Sequence, residues 1–178
     1  MEEKVWFAMS APFCKELEAK KLLDKRGIEN FIPMQYQVVV SKSGKKQREL
    51  RPAVHNLLFA RATRPELQET KEGVKYLQYY TRPEGGKNVP VVIPDRQMQQ
   101  FMAVSKTCHE KLFYLRSDEL PLQNGRQVRI IGGVFDGVEG VLMKVRGGRN
   151  KKVVVEIPNM LGVVFEVENA DMIEVINK

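Results

Sequence analysis

The sequence predicts an α+β protein, an amino-terminal α/β sandwich whose antiparallel sheet carries helices, followed by a small β-barrel. Three observations support this. Residues 5–105 mix strand-like and helix-like stretches punctuated by Gly and Pro, whereas residues 125–176 show only strand-like alternation. Between them, residues 104–123 hold neither period cleanly.

Val5 to Ala8 reads as a strand with Trp6 and Ala8 on one face and Val5 and Phe7 on the other. Pro12 opens a helix running to about Arg26, in which Ala19, Leu22 and Leu23 share a face and Gly27 supplies the stop. Ile28 to Val40 is β-rich and broken at Pro33, with Tyr36, Val38 and Val40 alternating against Gln35 and Gln37. Ser41 to Gln47 is a polar turn around Gly44, and Leu57 to Ala62 is a further strand. Pro65 starts a short helix to about Glu72, ended by Gly73. Lys75 to Thr81 reads as strand, residues 83–87 as a loop, and Val89 to Ile93 as strand. The last helix begins at Pro94 or Asp95, and its Met98, Phe101 and Met102 make a stripe suited to a core. The expected order is β-α-β-β-β-α-β-β-α.

Ser117-Asp-Glu and Pro121 mark a connection, so the domains are expected at 1–105 and 122–178 with a linker at 106–121. In the second domain, Val128 and Ile130 alternate with Arg129 before Gly132, Gly133, Gly137 and Gly140. Glycines so spaced suit a turn with positive φ and a second strand passing close to the first. Val141, Met143 and Val145 resume the alternation, Gly147 to Asn150 turns, and strands follow at Lys152–Ile157, Val163–Val167 and Met172–Ile176. Gly125 to Val141 resembles the KOW motif: a leading Gly, a Val-x-Ile strand, Gly-Pro-Phe-x-Gly, then a Gly opening the next strand. Val134 stands where Pro is usual. Five such strands suggest an SH3-like barrel.

The 178 residues hold 29 Lys and Arg against 22 Asp and Glu, a net charge of +7 that favours nucleic acid or an acidic partner. Two cysteines, Cys14 and Cys108, make neither a disulfide framework nor a metal-ligand spacing. No apolar run is long enough for a membrane span, and the acidic Met-Glu-Glu-Lys start is not that of a signal peptide. A cytoplasmic protein is expected, without metal or cofactor.

A sandwich followed by a KOW barrel resembles the NusG family of transcription elongation factors. Lys4-Val-Trp-Phe matches the family's opening strand, Val54-His-Asn-Leu-Leu-Phe-Ala its Pro-Gly-Tyr-Val-Phe-Val strand, and Val89-Pro-Val-Val-Ile-Pro-Asp the entry to its last helix. His55 and Leu57 depart from the second motif, which points to a specialised paralogue. Ile93-Pro-Asp-Arg-Gln-Met-Gln-Gln-Phe and Gly132-Gly-Val-Phe-Asp-Gly-Val-Glu-Gly look most like the UpxY-type antiterminators of capsular polysaccharide operons.

This resemblance implies docking on the clamp helices of RNA polymerase, through an apolar depression expected to involve Trp6, Phe7, His55, Asn56, Leu57 and Phe59. The basic residues Lys42, Lys45, Lys46, Arg48 and Arg51 would project as a hairpin loop toward non-template or upstream DNA. Asn159, Met160 and Leu161 would form the partner loop of the KOW domain, facing a ribosomal protein or another factor. Family members that recruit the termination helicase carry Ile-Phe-Gly-Arg there, and Ile157-Pro-Asn-Met-Leu-Gly162 lacks the Phe and the Arg. A monomer is expected.

No catalytic residues are expected. Cys108-His109-Glu110 are adjacent, so their side chains diverge, and no Gly-rich loop precedes a helix to cradle phosphate. The alternative is a KOW protein that binds RNA or the ribosome away from polymerase, gripping phosphates with Lys144, Arg146, Arg149, Lys151 and Lys152.

Overall fold

The computed structural model describes residues 3–107, 110–120, 125–143, 151–167 and 172–176. In chain order the first strands and helices are β1 (Val5–Ser10), α1 (Glu16–Lys25), β2 (Glu29–Phe31), β3 (Met34–Val40), β4 (Lys46–Pro52), β5 (Leu57–Ala62) and α2 (Arg64–Glu72). Then come β6 (Gln78–Tyr79), β7 (Thr81–Glu84), β8 (Lys87–Pro90), β9 (Val92–Ile93) and α3 (Asp95–Ser105). The remainder is β10 (Phe113–Arg116), β11 (Arg126–Ile131), β12 (Glu139–Met143), β13 (Lys151–Ile157), β14 (Leu161–Val167) and β15 (Met172–Val175). The chain divides into two compact units, Met1–Pro33 with Pro52–Met98, and Met34–Arg51 with Gln99–Lys178.

In the first unit β1 is central. It pairs antiparallel with β5 along its whole length, and its other edge is shared by β6 and β9, while β2 extends the sheet beyond β5. Burial on both faces explains its nearly unbroken apolar sequence: Trp6, Phe7, Ala8 and Met9 are all buried. Asn30 of β2 donates to Asp24 of α1 at 2.7 Å, and Lys71 of α2 lies 4.1 Å from the Tyr79 ring. Both contacts fall on the face opposite Trp6, so α1 and α2 share that side.

Helix α1 starts at Glu16, later than Pro12, because Phe13 and Cys14 take φ of 61° and 56° and cannot continue a helix. It ends as expected. Gly27 (φ 68°) donates to the Asp24 carbonyl and Ile28 to the Leu23 carbonyl, the paired bonds of a Schellman stop. Residues 75–93 form four short strands where two were expected, β7 and β8 making a hairpin over Gly85-Gly86.

Helix α2 begins on a capping box in which the Glu66 carboxylate accepts the Thr63 N–H at 2.8 Å and lies 3.1 Å from Lys4. The Thr63 backbone bond, with Lys4 second, holds the Glu66 pKa below the ordinary 4.5. A carboxylate with a lower pKa when folded stabilises above its unfolded pKa and loses that contribution as pH falls through the folded value. The first turn of α2 is therefore expected to loosen in acid below pH 4.5. Amide exchange at Thr63 and Glu66 followed against pH checks this, and Glu66→Gln should flatten the response.

In the second unit six strands form one antiparallel sheet in the order β10-β14-β13-β12-β11-β15. Five were expected; the sixth, β10, lies within residues 106–121 and pairs with β14 from Phe113↔Val164 to Arg116↔Leu161. On β13, Val153, Val154 and Val155 are all buried rather than alternating. A Cβ at Gly162 would meet Val154 Cγ1 at 2.7 Å and Leu120 Cδ1 at 2.9 Å, so Leu120 covers the sheet there. After β11 the chain turns through Gly132, Gly133 and Gly137 at φ of 92°, 72° and 77°. The Asp136 carboxylate accepts the Gly132 N–H at 2.6 Å, and Phe135 folds inward with its ring 4.3 Å from that of Phe165.

Candidate functional site

Residues opposite each other in an antiparallel pair share a face. The register Trp6↔Arg61, Ala8↔Phe59 and Ser10↔Leu57 therefore puts Trp6, Phe59 and Leu57 on one face of the sheet. Phe7 is on the other face, its ring 5.4 Å from Tyr79. The structure thus unites three of the four apolar residues expected at the docking depression and separates the fourth. All four are core: Trp6 is 2%, Phe7 4%, Leu57 2% and Phe59 0% exposed. Their aromatic and aliphatic surfaces are used in packing, so accessible contacts on this sheet must come from its rims.

One rim is the turn before β5. His55 is exposed and Asn56 half-buried, with φ 63° at Asn56. The Asn56 carbonyl accepts the Ala11 N–H at 3.0 Å, and its own N–H donates to the carboxylate of Glu16. Glu16 is itself only 2% exposed. As the first residue of α1 it also sits at the positive end of the helix dipole, which favours a buried carboxylate there. It anchors the turn that presents His55. No local pattern singles it out, because its partner is forty residues away.

The other rim holds an open cleft of about 270 Å³ lined by Glu3, Lys4, Val5, Trp6, Arg61, Val92, Ile93, Pro94 and Asp95. The Arg61 guanidinium lies across it, 3.5 Å from Glu29 and 3.3 Å from Asp95. Its charge is balanced by two carboxylates, which makes it a poor anchor for a further anion.

In the second unit the basic residues expected in a loop divide differently. Lys42 and Lys45 lie in the turn, closed by the Ser41 N–H on the Lys45 carbonyl at 2.9 Å, while Lys46, Arg48 and Arg51 are on β4. Arg48 forms an ion pair with Glu110 and Arg51 one with Glu49, 2.8 Å apart. Lys42, Lys45 and Lys46 are exposed and take no part in an ion pair with a described residue. Of the expected partner loop, Asn159 is exposed in a turn at φ 61° and Met160 is half-buried, whereas Leu161 is 2% exposed and faces the core. Lys152 pairs with Glu166 at 3.6 Å and lies 4.9 Å from the Phe113 ring. Lys144, Arg146, Arg149, Cys108 and His109 lie outside the described residues, as do residues 1–2. Among the described residues no three His, Cys, Asp or Glu side chains group to hold a metal. No helix among them is long and apolar enough to cross a membrane.

Residues 4–102 match the family model "NusG: Transcription termination factor nusG". The chain belongs to the NusG family. The match takes in the whole β1-centred sheet, the hairpin β3–β4 and most of α3. NusG proteins are transcription factors. No curated protein matches the chain. Fifteen chains of solved structures do, among them that of "Domain interaction in Thermotoga maritima NusG", 19% identical with a TM-score of 0.51 over 98% of both chains. At that identity the likeness speaks for the fold: mixed α and β, three helices and mostly antiparallel sheets.

Proposed function

We propose that this chain is a specialised NusG-type antitermination factor that binds RNA polymerase and promotes elongation through pauses or terminators. Its model is the UpxY type, acting in the cytoplasm on a polysaccharide biosynthesis operon. The observation that carries the reading is the NusG domain itself, spanning residues 4–102. On this reading its parts are an amino-terminal domain at 1–105, a linker at 106–121 that lends β10 to the second sheet, and a KOW SH3-like barrel at 122–178. The rim at His55 and Asn56, held in place by the buried Trp6, Leu57 and Phe59 beneath it, docks on the clamp helices and disfavours paused conformations by differential binding. The barrel offers Asn159 and Met160, with Leu161 supporting them, to a further partner. The residues 157–162 lack the Phe and Arg expected for the termination helicase, which suits antitermination.

The test is transcription with purified polymerase on a template carrying a terminator, together with co-purification of polymerase subunits. Increased readthrough supports the reading. Recovery of ribosomal subunits without polymerase would replace it by the RNA- or ribosome-binding alternative.

On the same reading the basic hairpin touches non-template or upstream DNA. Each phosphate contact contributes about 0.7 to 0.9 to the slope of log affinity against log salt. Changing Lys42, Lys45 and Lys46 together to Ser should lower that slope by about 2 to 2.7 for a complete elongation complex if all three touch phosphate. Affinity for polymerase lacking nucleic acid should not change. An equal loss on both would mean that the lysines contact protein.

A further inference from the structure

β3 and β4 form a two-stranded sheet that no other described strand extends. On β3, Tyr36, Val38 and Val40 point the same way and are 50%, 64% and 64% exposed. On β4, Lys46, Arg48 and Leu50 alternate likewise, with Leu50 44% exposed. The Arg48 guanidinium lies 5.5 Å from the Tyr36 ring, which puts both rows on one face. That face is apolar at four positions and basic at two.

The two edges of the hairpin are unlike. β4 carries Lys46, Arg48, Glu49 and Arg51, charges of the kind that keep other strands away. β3, Met-Gln-Tyr-Gln-Val-Val-Val, has no charge, no Pro and no Gly. An uncharged edge of high β-propensity beside an exposed apolar row is an invitation to strand addition. The charge of the hairpin says which strand: Lys42, Lys45 and Lys46 are unpaired among the described residues, and Glu49 is already held by Arg51. A second copy would set the same cations against each other in a chain of net charge +7. A nucleic acid strand could stack on Tyr36 but would leave Val38 and Val40 against phosphate.

We propose that β3 receives an extended acidic segment of a partner protein as the third strand of this sheet. The segment pairs with the backbone of Met34–Val40, lays apolar side chains on Tyr36, Val38 and Val40, and brings carboxylates to Lys46 and the turn lysines. This pairing assigns Lys42, Lys45 and Lys46 to carboxylates in place of the DNA phosphates of the transcriptional reading, and the two titrations below tell these uses apart.

The full chain, labelled with ¹⁵N, is titrated with a short peptide alternating Glu with Val, and separately with a short oligo-dT. The peptide should shift the amides of Tyr36, Val38 and Val40, slow their exchange with solvent, and bind more weakly as salt rises. Val38→Glu with Val40→Glu should weaken peptide binding on the order of tenfold or more, because like charges then meet. Tyr36→Ser, an uncharged change on the same exposed face, should weaken it less. Three results overturn the proposal: no response of β3 to the peptide, a response of those amides to oligo-dT alone, or concentration-dependent dimerisation through β3.

Discussion

Trp6→Ala is expected to destabilise the protein by about 3 to 5 kcal/mol, the usual cost of emptying a large aromatic site in a core. Trp6 is 2% exposed and is paired on both sides, with Arg61 of β5 and Ile93 of β9. Its removal leaves a cavity against two strands and opens the floor of the cleft formed with Val92, Ile93 and Arg61. From sequence alone, an aromatic on a family docking strand looks like a binding residue whose loss spares the fold; its burial reverses that expectation. Urea unfolding of the full chain, followed by far-ultraviolet circular dichroism, checks the effect. A midpoint unchanged from wild type would show that Trp6 is not core. His55→Ala is the informative companion. His55 is exposed, so its loss should change stability by less than about 0.5 kcal/mol. Any fall in polymerase affinity in that variant would then belong to the interface.

What was legible in the sequence was local. The Gly27 stop, the start of α2 within a residue of Pro65, the Met98–Phe101–Met102 stripe and the glycine turn after β11 each follow from a spacing of a few residues. The face assignment along β1, with Trp6 and Ala8 against Val5 and Phe7, also follows from the period of a strand. What could not be read depends on distant partners. Residues 75–93 break into short strands because the chain leaves and rejoins β1: Tyr80 donates to Ala8, Ala8 to Val91, and Val91 back to Tyr80. β10 is too short and too mixed to declare itself before β14 offers an edge. The candidate site divides the same way. The basic residues of the hairpin were visible as a cluster, but Arg48 and Arg51 are spent on Glu110 and Glu49 and only the lysines remain. Glu16, which holds the His55–Asn56 turn, was invisible because its partner is a backbone amide across the fold.

Gly140→Ala should destabilise the second unit by up to about 3 kcal/mol, the upper part of the usual range for overpacking. Gly140 stands in β12 opposite Val128 of β11, with β13 on its other side. A Cβ there would lie 2.5 Å from the Val154 carbonyl oxygen, 2.8 Å from Val153 Cγ1 and 3.1 Å from the Val154 carbonyl carbon. Two of these atoms are backbone of β13, which is buried at Val153, Val154 and Val155 and has no slack to yield. Space alone therefore demands glycine at this position. Two other glycines separate the causes. At Gly125 a Cβ would meet first the Val141 Cγ1 methyl, at 2.1 Å, a side-chain group that can rotate away, so Gly125→Ala should cost less. At Gly137 nothing lies within 4 Å but φ is +77°, so Gly137→Ala should cost about 1 to 2 kcal/mol through backbone conformation alone. Urea unfolding gives the order, and amide exchange gives the place. Gly140→Ala should speed exchange at Leu142 and Val153, which pair across β12 and β13, whereas Gly137→Ala should act on the turn. A wild-type midpoint for Gly140→Ala would mean that β12 and β13 can move apart, and the close approach of the two strands would then have no part in holding this sheet together.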